Sequence, residues 1–272
     1  MEKERAILPL RFFAGIGDRV TTLWTGMVKP AMEETGFALS VFVNSVLSLR
    51  LAFRKRREIM YQVALCGLNG LPVAVIVAFF SGLVLSLQVG SQLLRFGQQS
   101  SIGALVAISM CREMGPVMTG NILAGLIGSK MAAEIGTMKV SEEIDALEVM
   151  SINPISFLIM PRFLAMCIVC PLLTVYANVV GVAGGFLVAK GILNVGWQAY
   201  MKEINTYLML KDVTIGMLKA LIFGMIISIV GCAQGLRAEH GAYGVGRVTM
   251  RAVVIGSVFV LVFDWFVGWF FF

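Results

Sequence analysis

The chain has 272 residues, 58% of them hydrophobic and only 14% charged, with a mean hydropathy of +0.87. Soluble domains carry about 25% charged residues, so a soluble enzyme or a solvated interaction module is excluded in favour of an all-α integral membrane protein with several spans. The net charge of +6 is explained by basic residues flanking the spans and by anionic lipid headgroups, with no nucleic acid as partner.

Residues 1–11 are charged and lack an apolar run followed by a small-residue cleavage site, so no cleavable signal peptide is expected. Residues 11–28 and 33–53 mix apolar residues with scattered charges and predict N-terminal amphipathic helices lying at the membrane interface. The basic run Arg54, Lys55, Arg56, Arg57 follows. Span one is expected over 64–94, an uncharged stretch of about 46 Å as a helix, where a bilayer core needs only about 20 residues. Asn69, Gly70 and Pro72 near its start predict a tilt or a broken first turn.

Span two is expected over 102–129, interrupted by Arg112 and Glu113. An acidic stretch comes next, then span three over 163–189, a loop over 190–215 with a short helix near 196–207, and span four over 215–236. The glycine-rich basic segment RAEHGAYGVGRVTMR suits a tight loop, and span five closes the chain over 252–272.

Orientation follows from Lys and Arg. With five spans and the N-terminus inside, the inner segments hold 16 of the 22 basic residues and the outer segments five, namely Arg95, Lys190, Lys202, Lys211 and Lys219. This bias places the N-terminus and the acidic stretch in the cytoplasm and the C-terminus outside.

The acidic stretch EIGTMKVSEEIDALEVM predicts a short amphipathic helix. Val140, Ile144, Leu147 and Met150 form one apolar stripe, and Glu142, Asp145 and Glu148 line the opposite side. Ser141 is the expected N-cap, although Ile144 stands where a capping box would need Glu or Gln. Asn153-Pro154 ends the helix. Such a helix is either an ordinary solvated loop element or a docking helix for a cytoplasmic partner.

Charges inside a span cost about 2.5–3.5 kcal/mol each, so Arg112 and Glu113 are either a structural polar pair or part of a polar patch facing a cavity. In the second case an uncharged replacement is expected to insert and fold. Asp264, among Trp265, Phe266 and Trp269, is a packing acid or an interface residue. The stretch GLIGSK lacks the phosphate-loop pattern. Gly120, Ala124 and Gly128 instead make a small-residue face for helix packing. Cys66, Cys111, Cys167, Cys170 and Cys232 lie in or beside apolar segments and read as buried thiols. With His240 the single histidine, zinc sites and Ser-His-Asp chemistry have little to build on.

The run REMGPVMTGNILAGLIGSKMAAEIGTMKVSEEIDALEVMSINP, with PRFLA and GVGRVTMRAVV further on, strongly resembles the MlaE (YrbE) permease family. These are membrane subunits of ABC transporters that work with MCE-domain proteins. The resemblance covers roughly residues 63–272, which implies a permease domain there behind an N-terminal interfacial segment, 1–62.

It implies that the acidic helix is a coupling helix contacting a separate ABC ATPase through Glu142, Glu143, Ile144, Asp145, Leu147 and Glu148. It also implies that Arg112, Glu113, Leu85, Leu93 and Phe96 line a lipid cavity. The chain would then bind no cofactor of its own, ATP and Mg residing on the ATPase. It would pair with a second copy of itself in the bacterial inner membrane, and would pass phospholipid or a related lipid between that membrane and a periplasmic MCE protein. An ion-coupled secondary transporter using Arg112, Glu113 and Asp264 as relay groups is the alternative, as is a membrane scaffold without transport.

Overall fold

The computed structural model describes residues 29–48 and 55–271. The expected interfacial helix at 11–28 lies outside them. The chain divides into two compact units, residues 1–43 and 44–272. Helix α1 (Lys29–Leu47) supplies the described part of the first and the start of the second.

In the second unit α2 (Arg56–Phe96) is a single helix of 41 residues. It starts ahead of the expected Ala64 and runs through Pro72 without a break. At 1.5 Å per residue it is about 60 Å long, roughly twice the hydrocarbon thickness, so its ends reach well past the membrane core.

The segment after it is continuous but not uniform. It comprises α3 (Ile102–Ser109), a π turn at Met110–Met114, α4 (Gly115–Leu123), a second π turn at Ala124–Gly128, and α5 (Ser129–Val140). The short α6 (Glu143–Val149) follows, and a π turn at Ile155–Ile159 leads into α7 (Met160–Gly191). The amphipathic α8 (Trp197–Tyr207), α9 (Leu210–Gly235) and α10 (Gly241–Phe271) complete the unit.

Helices α2, α7 with its leading π turn, α9 and α10 are each long and apolar enough to cross a membrane. The chain is a multi-pass, all-helical membrane protein. The segment expected as span two is helical too, but it carries Arg112, Glu113 and two π turns.

α10 begins eleven residues before the expected Ala252, so most of the glycine-rich basic segment is helix rather than loop. The reason is visible in its packing: Gly244, Val248, Ala252, Gly256 and Val260 are buried at a strict spacing of four. Gly241, with φ of 72°, and Gly244, against the Glu239 backbone, make the turn that starts the helix, and Val248, Ala252, Gly256 and Val260 continue the row as an i±4 ridge.

Small residues set the order of the bundle, with α2 on α7, α7 on α9 and α9 on α10. Along α2, beyond Ile59, the buried positions are Cys66, Gly70, Ala74, Ala78, Gly82, Ser86 and Gly90, again every fourth residue. They meet Gly181, Gly184 and Gly185 of α7 so closely that a Cβ on Gly82 would strike the Gly181 carbonyl and one on Gly184 would lie 2.6 Å from the Phe79 oxygen. The Ser86 hydroxyl donates to the Gly185 carbonyl at 2.8 Å. In lipid, where burial of apolar surface does not favour helix association, such backbone approach supplies the dispersion contact that does.

On α9 the same device recurs. Gly216 faces the Cys111 carbonyl, Gly224 that of Met166 and Gly231 that of Gly128. The expected small-residue face of the second segment sits here: a Cβ on Gly120 would lie 3.1 Å from Phe223 and 3.2 Å from Val260, and one on Gly128 would lie 3.2 Å from Ile227. Helix α8 closes one end of the bundle, with Tyr200 fully buried against α3 and α7 and its hydroxyl donating to the Val182 carbonyl at 3.1 Å.

Candidate functional site

The first π turn places Arg112 and Glu113 toward α9. Arg112 Nε donates to Asp212 Oδ1 at 2.7 Å, and Arg112 Nη2 lies 2.7 Å from the same oxygen. Asp212, only 1% exposed, also accepts the Met209 backbone N–H at 3.1 Å through Oδ2 and so caps the first turn of α9. Two turns on, Lys219 is wholly buried, with its Nζ 2.5 Å from Glu113 Oε2 and 2.8 Å from Asp264 Oδ1 of α10.

Gly268, one turn beyond Asp264, lies beside this contact; a Cβ there would sit 3.8 Å from both Glu113 and Lys219, an ordinary contact. Five charges therefore join the second segment, α9 and α10. Left unpaired in hydrocarbon they would cost on the order of 12–18 kcal/mol, as much as or more than the roughly 5–15 kcal/mol that holds a typical domain folded. Pairing is a condition of folding.

Sequence reasoning missed two members, Asp212 and Lys219. Lys219 was counted among the outer basic residues, yet it falls inside the stretch expected as span four, and that position was the available signal. Asp264, left between two roles, is a lysine partner.

The five residues assigned to a cavity go to different places. Arg112 and Glu113 engage the ion pairs, with about a third of the Arg112 side chain and nearly half of that of Glu113 exposed. Leu85 and Leu93 are half-buried on a cluster of Ile102, Val106, Met110, Leu193 and Tyr200. Phe96, at the end of α2, is 77% exposed. Earlier in the same helix Ile76, Phe80, Val84 and Leu87 are also exposed.

The acidic stretch forms the expected short helix with different ends. Ser141 is not its cap: the first position is Glu142, whose φ of 60° is left-handed and whose side chain makes no capping bond. Ser141 and Glu142 N–H groups instead bond to the Thr137 and Lys139 carbonyls and close α5. Ser151, with φ of 59°, ends α6 in the same way. A left-handed non-glycine residue costs roughly 1–2 kcal/mol, so α6 is held between two strained corners.

Ile144 is buried, Leu147 is half-buried, and Glu142, Glu143, Asp145 and Glu148 are exposed. Met150, expected on the buried stripe, is 62% exposed beside Val149 at 87%. Lys139 reaches Asp145 at 2.6 Å, and that hydrogen bond pushes the lysine pKa up. Asn153 both follows α6 and caps the next element, its Oδ1 accepting the Ile155 N–H at 2.9 Å.

Comparison with known proteins gives a consistent result. The family described as Permease MlaE matches residues 59–270. A probable ABC transporter permease protein of Rickettsia typhi is 44% identical over 77% of this chain and 81% of its own length. A probable ABC transporter permease protein of Synechocystis is 36% identical over 91% of this chain and 92% of its own. The chloroplastic protein TRIGALACTOSYLDIACYLGLYCEROL 1 of Arabidopsis thaliana is 35% identical over 79% of this chain and 62% of its own.

Proposed function

Because the chain belongs to the MlaE permease family, we propose that this ABC transporter permease subunit moves phospholipid or a related lipid between the inner membrane and a periplasmic MCE-domain protein. A separate ATPase subunit, carrying ATP and Mg, would drive it. One observation carries the coupling half of this reading. Four exposed carboxylates and two exposed apolar residues, Val149 and Met150, are presented on a short helix pinned by Ile144 between strained corners. A rigid, acidic, partly apolar projection transmits motion from a basic groove on a partner. The lipid half is supported by the Arabidopsis relative, which is named for a galactolipid.

In this account the second segment is a fifth span, the N-terminus is cytoplasmic and the C-terminus periplasmic. Burial of Lys219 removes it from the outer set, and burial of Arg162 removes one from the inner set, leaving four against 15 in support of that orientation. Two copies would place their exposed α2 faces, with Phe96 at the end and Leu85 and Leu93 behind, around a shared acyl-chain cavity. The half-exposed Glu113 would reach it from the charged cluster. No covalent chemistry is asked of the chain itself. The ion-coupled alternative needs Arg112, Glu113 and Asp264 to exchange protons; their engagement with Asp212 and Lys219 favours a bracing task instead.

The test is a photoreactive residue at Leu93 or Phe96 in living cells. Captured phospholipid supports the cavity, and capture of none contradicts it. An impermeant thiol reagent applied to intact cells should leave a cysteine at position 142 unlabelled.

A further inference from the structure

At the end of the bundle opposite α8, a cleft of about 380 Å³ opens between the first turns of α2 and the start of α7. Arg57, Glu58, Tyr61 and Gln62 line one side, and Phe157, Leu158, Pro161 and Arg162 the other. Two features of it call for an anion and a third for an apolar tail.

The first is the order of charges along α2. Lys55 is the N-cap, without a side-chain capping bond, and Arg56 and Arg57 occupy the first turn. Cations at a helix N-terminus oppose its dipole, and the free N–H groups there are ordinarily satisfied by an acceptor or an anion. Glu58 is the one acid in that turn, and it lies 3.8 Å from Lys55. Arg57 has no acidic partner among the described residues.

The second is Arg162, only 8% exposed. Its Nη2 reaches Glu134 at 3.0 Å and its Nη1 donates to the Leu158 carbonyl at 3.1 Å, but its Nε is buried without a hydrogen-bond partner. The third is the apolar character of the remaining wall. Phe157 and Tyr61 are exposed, and the Lys55 ammonium sits 4.0 Å from the Phe157 ring centre. A soluble anion has no use for that wall, whereas a lipid would lay its first methylenes along it.

We propose that this cleft binds the phosphate headgroup of an anionic phospholipid from the cytoplasmic leaflet. Arg57 and the α2 N–H groups hold the phosphate, Arg162 adds positive potential from behind, and Tyr61, Phe157 and Pro161 hold the upper acyl chain. The site lies at the opposite end of α2 from Phe96 and is separate from the cavity of the transport reading. It rests on that reading for its cytoplasmic placement alone.

The test uses the full chain in cell membranes with a photoreactive residue at Tyr61, and identifies captured lipid by mass spectrometry. Anionic phospholipid is expected to be enriched over its share of the membrane. Arg57→Gln, an exposed change, should cut the enrichment roughly fivefold to tenfold, as loss of a charge-assisted contact implies. Capture at Leu93 should be unaffected by Arg57→Gln.

Capture in bulk membrane proportion, or capture indifferent to Arg57→Gln, overturns the site. Displacement of the lipid by added inorganic phosphate would show a site for free phosphate and overturns the lipid assignment. Labelling of position 142 in intact cells would overturn the orientation instead, so the two failures are distinct.

Discussion

Arg112 on the π turn and Asp212 on the first turn of α9 are joined by two guanidinium nitrogens, both 2.7 Å from one carboxylate oxygen. Asp212 is the more deeply buried partner, so the pair is asymmetric. Removing Arg112 strands a buried carboxylate, whereas removing Asp212 leaves a cation with partial access to its surroundings. Arg112→Ala should therefore destabilise the fold, contrary to the expectation that an uncharged side chain there would be tolerated. The cost should fall near the lower end of the roughly 3–5 kcal/mol seen when a buried pair is broken, because the Met209 N–H still serves Asp212. Arg112→Ala with Asp212→Ala should recover most of the loss in thermal unfolding of the purified chain. Equal unfolding temperatures for the single and double variants would count against the pairing.

Lys219 carries the greater load, since it holds one carboxylate from the π turn and one from α10. Lys219→Met alone leaves two acids facing each other across an apolar site. It should lower yield and unfolding temperature more than Arg112→Ala does. Adding Glu113→Gln and Asp264→Asn should restore folding without restoring transport, if the lattice also keeps the second segment, α9 and α10 moving together. Full transport by the triple variant would reduce the lattice to packing.

Much of the fold could be read from residue patterns alone: the helical class, the long apolar segments and the acidic helix. What could not be read depends on partners distant in the chain. Arg112 and Asp212 are separated by 100 positions, and Glu113 and Lys219 by 106. A charge inside a span announces that a partner exists and not which one.

The glycines of RAEHGAYGVGRVTMR were ambiguous for a related reason. Gly241 and Gly244 do serve a turn, against the Glu239 backbone, but the helix resumes at once, and the spacing of four from Val248 through Ala252 to Gly256 is what marks a packed helix face. The start of α6 was missed because a left-handed glutamate has no propensity signal; Ser141 has the better capping chemistry, yet the turn closes on Glu142.

The α2–α7 contact can be tested at single positions. Gly82→Leu places a side chain where the Gly181 backbone already sits and should prevent the two helices from closing, seen as aggregation or loss of the monodisperse species in detergent. Gly67→Ala is the matched control: nothing lies within 4 Å of its added carbon, and alanine is the better helix former by about 1 kcal/mol. Similar behaviour of the two variants would contradict the backbone contact.

Charge reversal on α6 separates docking from folding. Glu142, Asp145 and Glu148 replaced together by Lys should leave the membrane unit folded, because Ile144 still anchors the helix and the lost Lys139–Asp145 bridge is an exposed one worth at most about 1 kcal/mol. ATPase association should fall, with lipid-stimulated ATP hydrolysis falling in step. Ile144→Asp should weaken association as well, by releasing the helix. Unchanged association in both variants would remove α6 from the interface.

The most direct measurement is purification of the tagged chain from its native membranes, with copurifying subunits and retained lipid identified by mass spectrometry. The account predicts an ABC ATPase, a second copy of this chain, an MCE-domain protein and bound phospholipid or a related lipid in one assembly. Recovery of the intact chain without an ATPase and without lipid, under conditions that preserve other membrane complexes, would contradict it.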